Sequence, residues 1–346
     1  MKKLASKSKF FLRSFYNLAV LFYDVSKMKL TGIQKENSHH ILLKVFETFG
    51  GIFNPIISKI LGLRKLKFDN SNGLMAKFSA TELDKAQLHL KKEGYVVFEN
   101  VLTPDLCNSF IEMSQKIPGK NRIMDEEQGE ARSMFFERNN PKSVRFDYSG
   151  SDLLSTDIVQ ELIADTSIID FAQKYLGAAP ILDLIAMWWH TTFSDLPDKQ
   201  AAQWFHYDMD RVKWIKFFFY ITDVDSNSGP HTFVPKTHRR FGIPFKLRRK
   251  GYTRLSDLEV EEFLPSKNWK EFVGKRGTLI VEDTRGLHKG KHCKSGDRLL
   301  FQLEFTTSKF GADIEELKIS KNSLLPDLKI MMNKYPSIYT TVEITD

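Results

Sequence analysis

The chain has 346 residues, of which 42% are hydrophobic, 12% aromatic and 27% charged. These are ordinary globular proportions and exclude a collagen, a coiled coil or a chain disordered throughout. Of the net +8, residues 1–67 supply 13 Lys/Arg against Asp24, Glu36 and Glu47, so the remaining body is near neutral at −2, which argues against nucleic acid as a partner.

In chain order, residues 2–9 are Lys-rich and are followed by FFLRSFYNLAVLFY at 10–23. Arg13 and Asn17 interrupt the apolar run, and no small-x-small cleavage site follows, so a helix is expected rather than a secretory signal. Phe11, Phe15, Leu18 and Phe22 share one stripe, and Lys9, Arg13 and Asn17 another. GIFNPIISKILGLRKLKF at 51–68 repeats the pattern, with Ile52, Ile56, Ile60 and Leu63 on one face. Basic amphipathic helices of this kind either lie on anionic membranes or dock on the body through their apolar faces. Peripheral membrane contact through residues 1–68 is therefore one expectation and packing on the body the other. No run of about 18 uninterrupted apolar residues predicts a transmembrane helix.

Ser79 followed by Glu82 is a capping box that opens a helix near 80–92, ended by Gly94. GYVVFENVL reads as a strand. Thr103-Pro104-Asp105 opens a second helix, with Pro at its first position. Residues 119–150 read as irregular and 157–175 as a helix. From 181 to about 308 the pattern has period two and predicts strands. Helices first and strands after suggest an antiparallel sheet or barrel with helices outside. In WIKFFFYIT, Ile215, Phe217, Phe219 and Ile221 share one face, and Lys216, Phe218, Tyr220 and Thr222 the other. In RLLFQLEFT, Leu299, Phe301, Leu303 and Phe305 oppose Arg298, Leu300, Gln302, Glu304 and Thr306. Such strands line a barrel with a polar lumen.

Cys107 and Cys293 cannot build a disulfide framework or a thiolate zinc site, so a reducing, cytoplasmic setting is expected. Cys107 should pack under its helix, and His292 and Cys293 should sit exposed in a hairpin.

His206-Tyr207-Asp208 puts an imidazole and a carboxylate on one side of a strand. A third ligand could come from His231 or His238, which flank the turn SGPHTFVPKTH, or from His288 after GTLIVEDT. Two His and one carboxylate with open positions is the donor set of non-haem Fe(II) oxygenases. Arg298 follows His288 through the glycine-rich hairpin GLHKGKHCKSGD. A buried Arg there needs an anionic partner, which a dicarboxylate co-substrate would supply. His190 in MWWHT, with Trp188 and Trp214, is placed in the pocket wall or the core. The stretch 238–254 holds seven Lys/Arg in 17 positions. It reads as a solvated loop, or else as a clamp for an anionic substrate such as a phosphate or CoA tail.

Over about 79–308 the chain resembles the phytanoyl-CoA dioxygenase family. The likeness rests on EGYVVFENVLTPDLCNSFI, the H-x-D at 206–208, FFFYITDVDSNSGPHTFVPKTHR, and GTLIVEDTRGLHKG with GDRLLFQLEF. It implies a mainly β fold with flanking helices, a double-stranded β-helix (jelly roll, cupin-like) core. It divides the chain into a basic amphipathic extension at 1–78, the jelly-roll domain at 79–308 and a C-terminal extension at 309–346. By the same resemblance His206, Asp208 and His288 would ligate Fe(II), and Arg298 would hold the distal carboxylate of 2-oxoglutarate. O2 would be the oxidant, with succinate and CO2 released. The substrate would be small or carrier-linked. The sequence departs from the family at Lys236-Thr237, where Gly-Ser is usual, and at Gly290, where a Ser often assists 2-oxoglutarate. Tyr220 is the candidate replacement. Asp208 disfavours halogenation, which in related enzymes requires a small residue there. The rival reading is a non-catalytic jelly-roll protein that keeps the fold as a binding or membrane-associated module. The intact ligand set and Arg298 argue against it.

Overall fold

The computed structural model describes residues 2–69, 71–122 and 133–346, the side chains of residues 2–11 excepted. Lys9, Phe11 and residues 123–132 therefore lie outside what is described of the predicted stripes and of the 119–150 segment. Three helices come first: α1 (Lys2–Thr31), α2 (Ser38–Phe49) and α3 (Asn54–Leu61). Helix α1 is much longer than the predicted 10–23, and α2 was not anticipated. The predicted stripe is displaced too. Leu21 and Val25 are buried, Leu18 and Phe22 are half-buried, and Phe15 faces solvent.

The capping box at Ser79 forms as expected and opens α4 (Ala80–Glu93), which Gly94 closes at φ 97°. Strand β1 (Tyr95–Phe98) leads to α5 (Pro104–Lys116), capped by Thr103 Oγ1 on the N–H of Leu106 at 3.2 Å. Two short strands, β2 (Gly119–Asn121) and β3 (Arg145–Tyr148), occupy part of the segment expected to be irregular. The short α6 (Gly150–Leu154) follows. The single helix expected at 157–175 is two, α7 (Asp157–Ala164) and α8 (Thr166–Leu176). The Asp165 carboxylate accepts from the N–H groups of Ser167 and Ile168, restarting the helix at a new N-cap.

The strands after residue 180 build two sheets. They are β4 (Ile181–His190), β5 (Trp214–Tyr220), β6 (His231–Phe233), β7 (Lys270–Phe272), β8 (Leu279–Glu282), β9 (His288–Gly290) and β10 (Arg298–Thr306), with α9 (Phe245–Arg248) and α10 (Asp257–Glu261) between β6 and β7. The large sheet is seven-stranded and antiparallel in the order β1-β8-β5-β10-β4-β3-β2. The small sheet runs β7-β6-β9. A C-terminal unit of β11 (Leu317–Ser320), α11 (Pro326–Lys334) and β12 (Val342–Thr345) pairs β11 with β12 in parallel.

Period two decides what each face of the large sheet meets. Phe217, Phe219, Leu299, Phe301, Leu303 and Phe305 are buried with Leu90, Phe110, Ile163 and Phe171 of the helices. Full burial of each such side chain contributes about 1.5–3 kcal/mol. The opposite face carries Trp188, Phe218, Tyr220, Ile280 and Leu300, which pack against Phe233 and Phe272 of the small sheet. The polar faces of β5 and β10 therefore look into the space between the sheets. The N-terminal helices cover the outer side of the segment 205–214. Leu21, Val25, Leu42, Val45, Phe46, Ile57 and Leu61 form one buried cluster with Phe205, Tyr207, Met209, Val212 and Trp214. Packing on the body is thus what the buried face of this extension does.

Candidate metal centre

Residues 205–208 run beside β9, and His206 and His288 form an antiparallel bridge. Each donates its backbone N–H to the other's carbonyl, at 2.9 and 2.8 Å. The two side chains are therefore cross-strand neighbours. Asp208, two residues on, leans to the same side, its N–H held by the carbonyl of Thr284 at 2.8 Å. One ligand atom from each of His206, Asp208 and His288 lies within 4.8 Å of the others, and all three residues are buried. It is the one such His/Cys/Asp/Glu cluster among the described residues.

Tautomers are fixed by the backbone. Nδ1 of His206 faces the carbonyl of Trp204 at 2.9 Å, and Nδ1 of His288 that of Gly286 at 3.0 Å. Carbonyls only accept, so Nδ1 carries the proton and both Nε2 lone pairs are left for a cation. Burial pushes both imidazoles below their usual pKa, which keeps them neutral. For Asp208 burial acts upward, but the Lys216 ammonium outweighs it and holds the carboxyl well below the usual range. Two neutral imidazoles and an ionised carboxylate, with both Nε2 free, suit a borderline divalent cation such as Fe(II).

Lys216 and Glu304 were visible in the sequence only as polar-face residues. They face each other across β5 and β10. Lys216 Nζ donates to Asp208 Oδ2 at 2.7 Å and lies 3.3 Å from Glu304 Oε2. Burial pushes Glu304 up to about 8, Lys216 opposing, so the charge on Lys216 belongs mainly to Asp208. Glu282 and His231 are another buried pair, with Nε2 3.0 Å from the carboxyl. Burial raises Glu282 to about 8 and lowers His231 to about 3, so this contact, though at ion-pair distance, is a hydrogen bond between neutral groups.

Arg298 is 1% exposed and has no carboxylate in ion-pair contact among the described residues. Its Nη1 donates to the carbonyl of Gly229 and its Nη2 to Nδ1 of His190, while Nε is buried without a partner. His190 Nε2 donates to the carbonyl of Ala201 at 3.1 Å. Burial first and Arg298 second hold His190 well below its usual pKa. The predicted pocket histidine is thus a neutral support for the guanidinium. A buried guanidinium with an unpartnered Nε and no counter-ion fits an anionic carboxylate. Tyr220 lies close enough to Arg298 to feel its charge. Its hydroxyl donates to the carbonyl of Phe272 at 2.8 Å and accepts from the N–H of His231 at 3.0 Å.

Trp188 faces the space between the sheets with Nε1 unpartnered, and Arg145 stacks over its ring at 4.3 Å. Trp214 sits behind the H-x-D segment, its Nε1 on Thr284 Oγ1 at 2.8 Å. His238 is held by the carbonyl of Lys91 at 3.2 Å. Cys107 is buried as expected. Cys293 is buried too, contrary to the hairpin reading, because the hairpin folds back to bridge Ser228.

Two histidines, one carboxylate and a buried arginine without a counter-ion are the groups expected of a mononuclear metal oxygenase of the 2-oxoglutarate type. The sequence matches the family model of phytanoyl-CoA dioxygenase over residues 90–299, and the chain belongs to that family. It is a non-haem Fe(II)- and 2-oxoglutarate-dependent oxygenase. Similar solved structures include SnoN, the non-haem α-ketoglutarate-dependent epimerase from nogalamycin biosynthesis, at 15% identity. That match covers 66% of this chain and 84% of that one, with a TM-score of 0.48. EctD from S. alaskensis is 15% identical over 73% of this chain and 86% of its own, with a TM-score of 0.47. HygX from Streptomyces hygroscopicus, with nickel and 2-oxoglutarate bound, is 16% identical over 71% and 93%, with a TM-score of 0.45. No curated protein matches the sequence.

Proposed function

We propose that the chain is a hydroxylase of a small organic substrate, with Fe(II) held by His206, Asp208 and His288 and 2-oxoglutarate by Arg298. The observation that carries this is the pairing of two free Nε2 lone pairs and an ionised carboxylate with a buried guanidinium that has no counter-ion. When bound, the iron would supply the activation of O2 that amino-acid side chains cannot perform. The chain's own residues do the rest. Trp204 and Gly286 carbonyls fix the imidazoles, and Lys216 keeps Asp208 ionised. His190 and Gly229 aim Arg298, and Tyr220 ties the two sheets together beside it. Trp188, Gln302 and Glu304 present buried polar atoms without partners on the polar sheet face. They suit a substrate with hydrogen-bonding groups, free or carrier-linked. Trp214 supports Thr284 and through it Asp208. The two facing sheets are read as a double-stranded β-helix at 79–308, flanked by the extensions 1–78 and 309–346. The test is substrate-dependent succinate formation by anaerobically iron-loaded protein. Succinate that never rises with any candidate, while metal and 2-oxoglutarate bind, would remove the catalytic reading.

The extension supports a second contact. Helix α1 presents large apolar side chains to solvent. Leu12, Phe15, Tyr16, Tyr23 and Leu30 are 60–85% exposed, and the helix carries seven Lys/Arg against Asp24. No helix of the described residues is long and apolar enough to cross a membrane. This face is proposed to lie on an anionic bilayer, from a cytoplasmic side. Phe15→Ser with Tyr16→Ser should abolish co-sedimentation with phosphatidylglycerol vesicles at low salt. Wild-type protein that stays in the supernatant refutes it.

A further inference from the structure

A cleft of about 710 Å³ opens away from the metal centre, between α3, the end of α8 and the turn after β6. None of His206, Asp208, His288 or Arg298 lines it. Six cationic side chains do: Lys59, Lys91, Lys213, Arg239, Arg240 and Arg285. No Asp or Glu lines it among the described residues. Only Arg285 has a carboxylate, pairing with Asp283 through Nε at 2.8 Å. Lys213 donates to the carbonyls of Tyr175 and Leu176 at 2.9 and 2.8 Å, capping α8. Lys59, Lys91, Arg239 and Arg240 are exposed and make no ion pair among the described residues. The neighbouring charges are felt inside. Burial, then Arg285, Lys91 and Lys65, bring Lys213 down to about 8.

Cations that share a concave surface repel one another, and a packed protein keeps such an arrangement at a cost in stability. Here they converge from five separate stretches of chain, one of which, α3, lies outside the matched residues 90–299. A single carboxylate can satisfy one fork. A phosphate or diphosphate has the oxygens and the charge to meet several at once. The volume is within the range of small-ligand sites, about 300–1,000 Å³. We propose that this cleft binds a phosphate-bearing anion. The extension would then complete an anion site with the oxygenase body. Arg239 and Arg240, at the start of the basic 238–254 stretch, would be its clamp.

The test uses full-length, metal-free protein saturated with 2-oxoglutarate, so that Arg298 is occupied, and titrates inorganic pyrophosphate by calorimetry. Binding at one site per chain is expected. In Lys59→Gln/Arg239→Gln/Arg240→Gln it should weaken about tenfold or more. In a control of equal charge change at distant exposed lysines, Lys142→Gln/Lys294→Gln/Lys318→Gln, it should not change. No binding at millimolar pyrophosphate, or equal weakening in both triple variants, overturns the proposal. A second arm separates the sources of the phosphate. Pyrophosphate that competes the wild type off phosphatidylglycerol–phosphatidylcholine vesicles indicates a lipid headgroup. Pyrophosphate that binds without disturbing vesicle binding indicates a soluble phosphate.

Discussion

Replacing Arg298 by Met separates the two halves of the site. The guanidinium is buried, lacks a carboxylate partner and has a free Nε, so its main charged partner is expected to be the distal carboxylate of 2-oxoglutarate. Removing one side of a buried charged pair costs about 2–5 kcal/mol. At the lower bound, affinity for 2-oxoglutarate falls about 30-fold. The consequence for stability follows by linkage. At a 2-oxoglutarate concentration of about 100 Kd the co-substrate stabilises the wild type by about 2.7 kcal/mol; with Kd raised 30-fold the same concentration gives about 0.9 kcal/mol. The expected outcome is a KM for 2-oxoglutarate raised about 30-fold or more, a thermal shift with 2-oxoglutarate reduced to about a third, and unchanged iron content, since Arg298 touches none of the three ligands. Arg298→Lys, which keeps the charge and loses the fork, should fall between. A KM and thermal shift that stay at wild-type values, or an iron content that drops in step with them, would refute the reasoning.

His206→Ala or Asp208→Ala should reduce bound iron to background by elemental analysis while circular dichroism is preserved; stoichiometric iron in either would show that another ligand set is used. Lys216→Met strands the ionised Asp208 without its cation and should destabilise the metal-free protein by about 3–5 kcal/mol in urea, partly restored by Lys216→Met/Asp208→Asn; a wild-type midpoint for the single variant would mean the contact carries no weight. Glu282 ionises near 4.5 when unfolded and about 8 when folded. The folded state therefore holds the extra proton between these values, and metal-free stability should fall with rising pH across the window by up to about 1.4 kcal/mol per unit. Glu282→Gln should flatten that decline, and an unaltered slope would assign it to other groups.

What the sequence made legible follows from the range of the signal. The split faces of β5 and β10 could be read because alternation is local, and both faces emerged as expected. The three-residue H-x-D and the hairpin from His288 to Arg298 are also short-range patterns, and the structure brings His206, Asp208 and His288 together. Lys216 and Glu304 are different. Each was seen on a polar face, but their meeting depends on the register of β5 against β10, which no local spacing records. Helix α2 has Ile41, Leu42, Val45, Phe46 and Phe49 at helical spacing, but no side-chain cap or acidic first turn marks its start. Asp165 splits the predicted 157–175 helix because its carboxylate can cap, a signal that was present. Cys293 was misplaced because glycines mark a turn without saying what the turn folds against.

Tyr207, the middle residue of the H-x-D, points away from the site. It is buried against Phe46 of α2, with ring centroids 5.3 Å apart, and its hydroxyl reaches the carbonyl of Gly251 at 3.2 Å. The same short segment thus presents two ligands inward and one anchor outward, into the docked helices. If docking of the extension changes how this segment is held, occupancy of the metal centre and docking are linked, and linkage is reciprocal. Whatever factor the docked helices contribute to metal affinity, metal must return to docking. Protease protection of α1 and α2 should accordingly increase when metal is added, and any event that lifts these helices would be felt inside as a weaker hold on the ion.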